Sequence, residues 1–254
     1  MSINWREKLF AAAIHFLITL TVAGLAAAIV FFVWFPSGLA EMIGGRKLFF
    51  MVIGVDVSLG PLISLIIYSS KKSRRELVID YFVVGVVQLA ALLYGLFAVA
   101  VSRPVFVVFH GGRLEIVTAI ELDDKDLTQG TAPEFRSLSW TGPRLVAVQM
   151  PTDPQERNNL IFSAVQGKDA QLMPRYYRAY DFARDEIKQK LKSLQTVQIE
   201  DSLQQHQFKL AIDNAGVPEN DLRWLRVHHR FGFGMALIDA RIEIPVRYLP
   251  IDPK

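Results

Sequence analysis

Three long apolar runs leave this chain little choice of fold. Leu9–Phe35 holds 27 residues without a formal charge. Leu48–Tyr68 holds 21 with one acid, Asp56, and Leu77–Val101 holds 25 with Asp80 near its start and Gln88 near its middle. A bilayer's hydrocarbon core, roughly 30 Å thick, takes about 20 helical residues, and a helix satisfies its own backbone polar groups there. Each run is long enough to cross. The links Pro36–Lys47 and Ser69–Glu76 are short, so consecutive helices run antiparallel. The first run follows Arg6 and Lys8, as a signal peptide would. It exceeds the roughly 7–15 residues of a signal h-region, however, and Ala26–Ala28 leads into Ile-Val-Phe-Phe-Val-Trp-Phe, so it reads as a retained helix.

Positive charges in short loops orient such helices. Arg6 and Lys8 at the start, with Lys71, Lys72, Arg74 and Arg75 in the second link, give six on one side; Arg46, Lys47 and Arg103 give three on the other. The six belong in the cytoplasm, which sends everything after about Ser102 across the membrane. Trp5, Trp34, Phe35 and Tyr68 fall at the expected interfaces. From Ser102 onward Lys/Arg and Asp/Glu balance at 20 each, and no basic run follows Arg75. Nucleic acid is therefore not an expected partner. The chain has no cysteine, which removes disulfides, thiol catalysis and thiolate metal sites.

Polar residues within the spans are costly and informative. At 1.5 Å per residue, Asp56 and Gln88 lie within about 3 Å of their helix midpoints, and Thr21 lies near that of the first helix. These three are expected to form one intramembrane hydrogen-bonded cluster. Its role is helix packing, contact with a partner's helix or, with too few acids to favour it, a proton path. Gly60-Pro61 is expected to kink the second helix. His15 reads as a lone packed or interfacial histidine.

The remainder reads as a soluble α+β domain around an antiparallel sheet, giving a division at 1–101 and 102–254. Val105–Phe109 and Arg113–Thr118 flank His110-Gly111-Gly112 as a hairpin. Glu121–Pro143 is mainly loop with one short helix, and Leu145–Gln149 is a strand. Asp153-Pro154-Gln155-Glu156 starts a helix to about Gln166. Tyr180, Ala183, Ile187, Leu191 and Leu194 recur at helical spacing. A third helix spans about Asp201–Ala215 and stops at Gly216. Leu222–Val227 is a strand. Alternation from Ile238 to Tyr248 reads as a single strand, with Pro245 marking an edge or a break.

Little in this domain points to chemistry. His228 and His229 are adjacent, so on a strand they face opposite ways. Asp123-Asp124-Lys125-Asp126 lacks the glycine and distal glutamate of a calcium loop. Phe231-Gly232-Phe233-Gly234 is a glycine turn, and no serine sits in a nucleophile elbow. Tyr176, Tyr177 and Tyr180 suit a core as well as a binding surface. The expectation is a non-enzyme without catalytic residues, metal or cofactor.

Phe31-Phe32-Val33-Trp34-Phe35-Pro36 and Gly54-Val55-Asp56-Val57-Ser58-Leu59-Gly60-Pro61-Leu62 resemble the type IV pilin accessory protein family (TfpX/TfpZ type). So do Gln88-Leu89-Ala90-Ala91-Leu92-Leu93-Tyr94-Gly95, Arg103-Pro104-Val105 and Arg247-Tyr248-Leu249-Pro250. The resemblance covers the membrane part closely and the remainder loosely. It implies a bacterial inner-membrane protein that binds a type IV pilin, major or minor, and promotes its stability or assembly, alongside other pilus assembly proteins. It brings no catalytic residues. The competing reading is a membrane-anchored extracytoplasmic sensor or ligand-binding module, which the short cytoplasmic segments disfavour. A membrane enzyme acting on lipid-linked substrates would have only Glu41, Arg46, Lys47 and Arg103 to work with.

Overall fold

The computed structural model describes residues 5–69 and 71–253. Its contacts divide the chain into two compact units, Met1–Phe32 with Arg46–Ala100, and Val33–Gly45 with Val101–Lys254. The link between the first two spans thus belongs with the C-terminal unit.

The helical unit holds three helices long and apolar enough to cross a membrane. The first is α1, Trp5–Ala28, continued by π-helical turns over Ile29–Trp34. After a 3-10 turn at Pro36–Gly38 and the one-turn helix α2, Leu39–Met42, come α3, Gly45–Ile67, and α4, Arg74–Val101. Most large side chains of these spans point outward, which lipid permits and water does not. Gly95 lets α4 approach α3 at Val52, where a Cβ would collide with the valine side chain. At the basic end, Lys8 Nζ donates to the Leu65 carbonyl at 2.9 Å and Lys72 pairs with Asp80 at 2.6 Å.

The C-terminal unit is built on β1, Pro104–His110, and β2, Arg113–Thr118, the expected hairpin. The loop that follows carries the short helix α5, Asp124–Thr128, and then β3, Arg144–Val148. Helix α6, Pro154–Val165, starts where expected, with Asp153 accepting the Glu156 N–H at 2.8 Å. Next come β4, Tyr177–Ala179; α7, Arg184–Lys190; and β5, Lys192–Ser193. Helix α8, Ser202–Asp213, is followed by β6, Leu222–His229; β7, Gly232–Asp239; and β8, Ile244–Leu249.

The sheet runs β4-β3-β1-β2-β6-β7-β8, with β5 pairing onto β6. It is mixed, not purely antiparallel: β1 pairs β3, and β2 pairs β6, in parallel. The reason is topological. Local hairpins are antiparallel and leave a sequence signature, whereas both outer neighbours of the β1–β2 hairpin arrive by long crossovers. Phe106, Val108, Val117, Leu127, Phe135 and Tyr177 form one core cluster; Leu222, Trp224, Met235 and Leu237 form another against α8. The three tyrosines are core residues, and Tyr180 donates to the Glu243 carbonyl at 3.0 Å.

Two expected elements are corrected. The helix read through Tyr180–Leu194 is a 3-10 turn and seven residues of α7, because Leu191 turns to extended backbone. Lys192 then pairs with Trp224, whose indole N–H donates to the Ser193 carbonyl at 3.2 Å, so sheet pairing overrides the helical pattern. The single strand read from Ile238 to Tyr248 is the end of β7, a turn and β8. In that turn Asp239 accepts the Arg241 backbone N–H and both arms of its guanidinium, and Glu243 sits at φ 57°. Glu243, 3 % exposed, is held by Arg184 at 2.9 Å and Lys188 at 3.5 Å. Pro245 lies on β8, an edge of the sheet order.

That edge is covered. Segment 36–42 lies along β8, and Gly38, at φ +91°, sits where any Cβ would strike the Tyr248 carbonyl oxygen. Covering an edge strand protects its free backbone groups from pairing with other chains.

Candidate functional site

Apolar helices need few polar side chains, so those that meet inside the helical unit identify its site. His15 on α1 joins both other spans. Its Nδ1 lies 2.6 Å from Ser64 Oγ on α3, and its Nε2 lies 2.8 Å from Gln88 Oε1 on α4. An amide oxygen only accepts, so Nε2 donates to it, and in the neutral ring Nδ1 then accepts the Ser64 hydroxyl proton. Gly60 makes room for the pair: a Cβ there would come within 2.8 Å of Gln88 Nε2 and 3.0 Å of His15 Nε2. Tyr81 packs edge-on to His15 at 6.2 Å.

The expected cluster is therefore rearranged. Thr21 donates to the Leu17 carbonyl of its own helix at 2.8 Å and joins neither Asp56 nor Gln88 among the described hydrogen bonds. Asp56 and Gln88 line one lateral groove of about 410 Å³ between α3 and α4, with Val55, Leu59 and Ala91. His15 lines a second, of about 430 Å³, with Ile18, Tyr81 and Gly85. Gly60 and Pro61, expected as a kink, lie within the single helix α3. Sequence reasoning set His15 aside and overlooked Ser64. It aligned helix midpoints, but the helices are staggered: Gly60 is seven residues from the end of α3 at Ile67, whereas Gln88 is fourteen from the start of α4 at Arg74. At 1.5 Å per residue that is an offset of about 10 Å. Hydrogen-bonding residues within two turns of one another on either side of a glycine would have been the better signal.

The seam is not closed. Gln88 Nε2 is buried without a hydrogen-bond partner, and so is the Tyr81 hydroxyl. Interhelical hydrogen bonds in membranes average about 0.6 kcal/mol and reach about 1.7, while an unmatched polar group in hydrocarbon costs several. An amide donor at an apolar groove is suited to an acceptor on another helix.

In the sheet unit, Glu115 is buried between Arg113 Nε at 2.5 Å and His228 Nδ1 at 2.9 Å, and the His228 ring stacks on Phe233 at 4.8 Å. The trio clamps the β2–β6 parallel pair, where Glu115 and His228 are in register. His229 is buried apart from it, and burial together with the neighbouring His228 pushes its pKa down. Among the described residues no group of three or more His, Cys, Asp or Glu gathers to hold a metal. On α6, Ile161, Phe162 and Val165 are 55, 70 and 84 % exposed and form a contiguous apolar helix face.

Comparison with known proteins gives a consistent picture. A family model described as fimbrial assembly protein FimB matches residues 3–44. The fimbrial assembly protein of serogroup I from Dichelobacter nodosus is 33 % identical over 246 residues, covering 95 % of each chain. That of serogroup E1 is 32 % identical over 246 residues with the same coverage. That of serogroups C1 and C2 is 41 % identical over 118 residues, 45 % of this chain and 90 % of that one. No solved structure gives a significant match.

Proposed function

We propose, from the premise that this chain belongs to the fimbrial assembly protein family, that it serves fimbrial biogenesis as a non-enzymatic inner-membrane helper that binds a type IV pilin. The observation that carries this reading is the unsatisfied polar seam. Gln88, whose amide N–H is buried without a partner, lines with Asp56 a lateral apolar groove between α3 and α4, and a further transmembrane helix seated in that groove is suited to supply the missing acceptor. Gly24, Gly54 and Gly85 offer further room, since a Cβ at any of them would meet nothing within 4 Å; small residues let helix backbones approach.

The remaining elements follow from this reading. The six-to-three loop bias supports an N-terminus in the cytoplasm and a sheet unit outside it. The apolar face of α6 meets the head of the same subunit. Two linked contacts raise effective concentration, so neither has to be tight. The helper stabilises or presents the subunit before polymerisation.

Site-specific photo-crosslinkers at Ala91, in the groove, and at Phe162, on α6, test the reading in membranes. Both are expected to capture the pilin, identified by mass spectrometry, and deletion of the gene is expected to lower surface piliation at constant pilin transcription. Absence of pilin adducts at both positions, with normal piliation in the deletion strain, would turn the case toward the sensor reading.

A further inference from the structure

Trp140 lies in a loop outside every apolar run, yet its ring is 60 % exposed and held in place. Its ring centroid is 5.8 Å from that of Trp34, the last residue of the first span. Arg103 comes two residues after the third span ends at Val101, and its guanidinium carbon sits 3.8 Å from the Trp140 ring centroid. The same arginine donates Nε–H to the Ser139 carbonyl at 2.9 Å. Gly142, at φ +96°, lets the loop pass Val33, whose carbonyl oxygen would be 3.1 Å from a Cβ. The loop around Trp140 is thus fastened to the residues at which two spans end.

We propose that Trp34, Trp140 and Arg103 form an interfacial anchor, with the Trp140 indole seated in the headgroup layer of the bilayer. Covalent continuity selects the occupant. Trp34 and Arg103 adjoin span ends, so a ring stacked on both lies at the depth where the bilayer meets water. An indole has an apolar body and one N–H donor, and this mixed character favours that layer over either side of it. Arginine at a span end keeps its stem in the apolar zone and its head among polar groups. The anchor has a directional effect: β1 begins at Pro104 and β3 at Arg144, so both strands of a parallel pair start beside it.

The chain has no cysteine, so a single introduced one is a unique spin-label site. Labels at Thr141→Cys, Val22→Cys and Ser73→Cys, in full-length protein in phosphatidylcholine–phosphatidylglycerol nanodiscs, report access to oxygen and to a water-soluble nickel chelate. Val22 is mid-span and Ser73 lies in a link, so they set the lipid and water limits. The Thr141 label is expected between them, favouring oxygen over nickel relative to Ser73, and Trp140→Ala in the same background is expected to move it to the water limit. Circular dichroism and thermal melting of that variant keep a loss of fold distinct from a loss of anchoring. A Thr141 label at the water limit with Trp140 present overturns the proposal, as does indifference to Trp140→Ala. Shielding from both reagents overturns it in favour of a protein partner. A water-like Val22 label would overturn the membrane reading and the anchor with it.

Discussion

In the helical unit one imidazole joins three spans through a serine hydroxyl and a glutamine amide. In the sheet unit carboxylates are buried beside basic side chains: Glu243 with Arg184 and Lys188, Glu115 with Arg113 and His228, Asp239 with Arg241. The contrast follows from solvent. Lipid cannot hydrate a cation whose partner is lost, and the groups that join the three spans are a hydroxyl, an amide and one imidazole. The sheet unit keeps one end of each pair near water: Arg184 and Lys188 side chains are 50 and 54 % exposed, while Glu243 is 4 % exposed. The hydrogen-bonded seam contributes modestly and leaves a donor unmatched, whereas the ion pairs of the sheet unit are matched within their own fold.

The largest effect tests the covered edge. Gly38→Val forces a β-branched side chain into φ +91° and against the Tyr248 carbonyl, and is expected to cost about 3 kcal/mol or more. Early melting and proteolysis of the C-terminal unit in detergent would register it. Next comes the charge trio. Arg184→Ala leaves Glu243 with Lys188 as its remaining cation, for an expected loss of about 1–2 kcal/mol, while Arg184→Lys should recover part of it. A null result in a denaturant melt would show that water already satisfies Glu243.

Gln88→Leu sharpens the comparison from the other side. Its stability cost is expected to be about 1 kcal/mol or less, but capture of pilin by a crosslinker at Ala91 should fall severalfold. Equal capture by both proteins would reduce the seam to helix packing. The smallest effect is a pH dependence of the sheet unit. His229 has a folded pKa below its ordinary 6.5, because burial and His228 disfavour its charge. Its contribution is complete above 6.5 and is lost as pH falls from there toward the folded value. Asp239 is held below its ordinary 3.8 chiefly by hydrogen bonds from Arg241, so its contribution is lost only as pH falls through the acidic range below that value. His229→Phe is expected to remove the first step and leave the second.

The sequence carried the elements whose causes are local. Uncharged length identified the spans, Asp153-Pro154 the start of α6, and His110-Gly111-Gly112 the first hairpin. Non-local causes left no such mark. The parallel pairs depend on where β3 and β6 return. The β7–β8 turn contains neither glycine nor proline, and its four residues preserve the period-two alternation across the reversal, so two strands read as one. The candidate site was legible in kind and not in membership. Gln88 and Asp56 were recognisable as costly, but finding His15 and Ser64 required the stagger of the helices, which charge-free length cannot supply.

The placement of segment 36–42 along β8 also sets a timetable. Gly38 and Tyr248 are 210 positions apart, so the cover emerges from the ribosome before the second span and well before the strand it covers. Phe35, Leu39 and Met42, all buried in the finished unit, wait without partners while everything between is made. Domains usually close as each is synthesised; this one closes only after β8 has been made. A chain stopped short of Ile244 would present a bare β7 edge and an orphaned apolar loop together, a form readily recognised by proteases. Synthesis through β8 is thereby built into the condition for closing this unit at all.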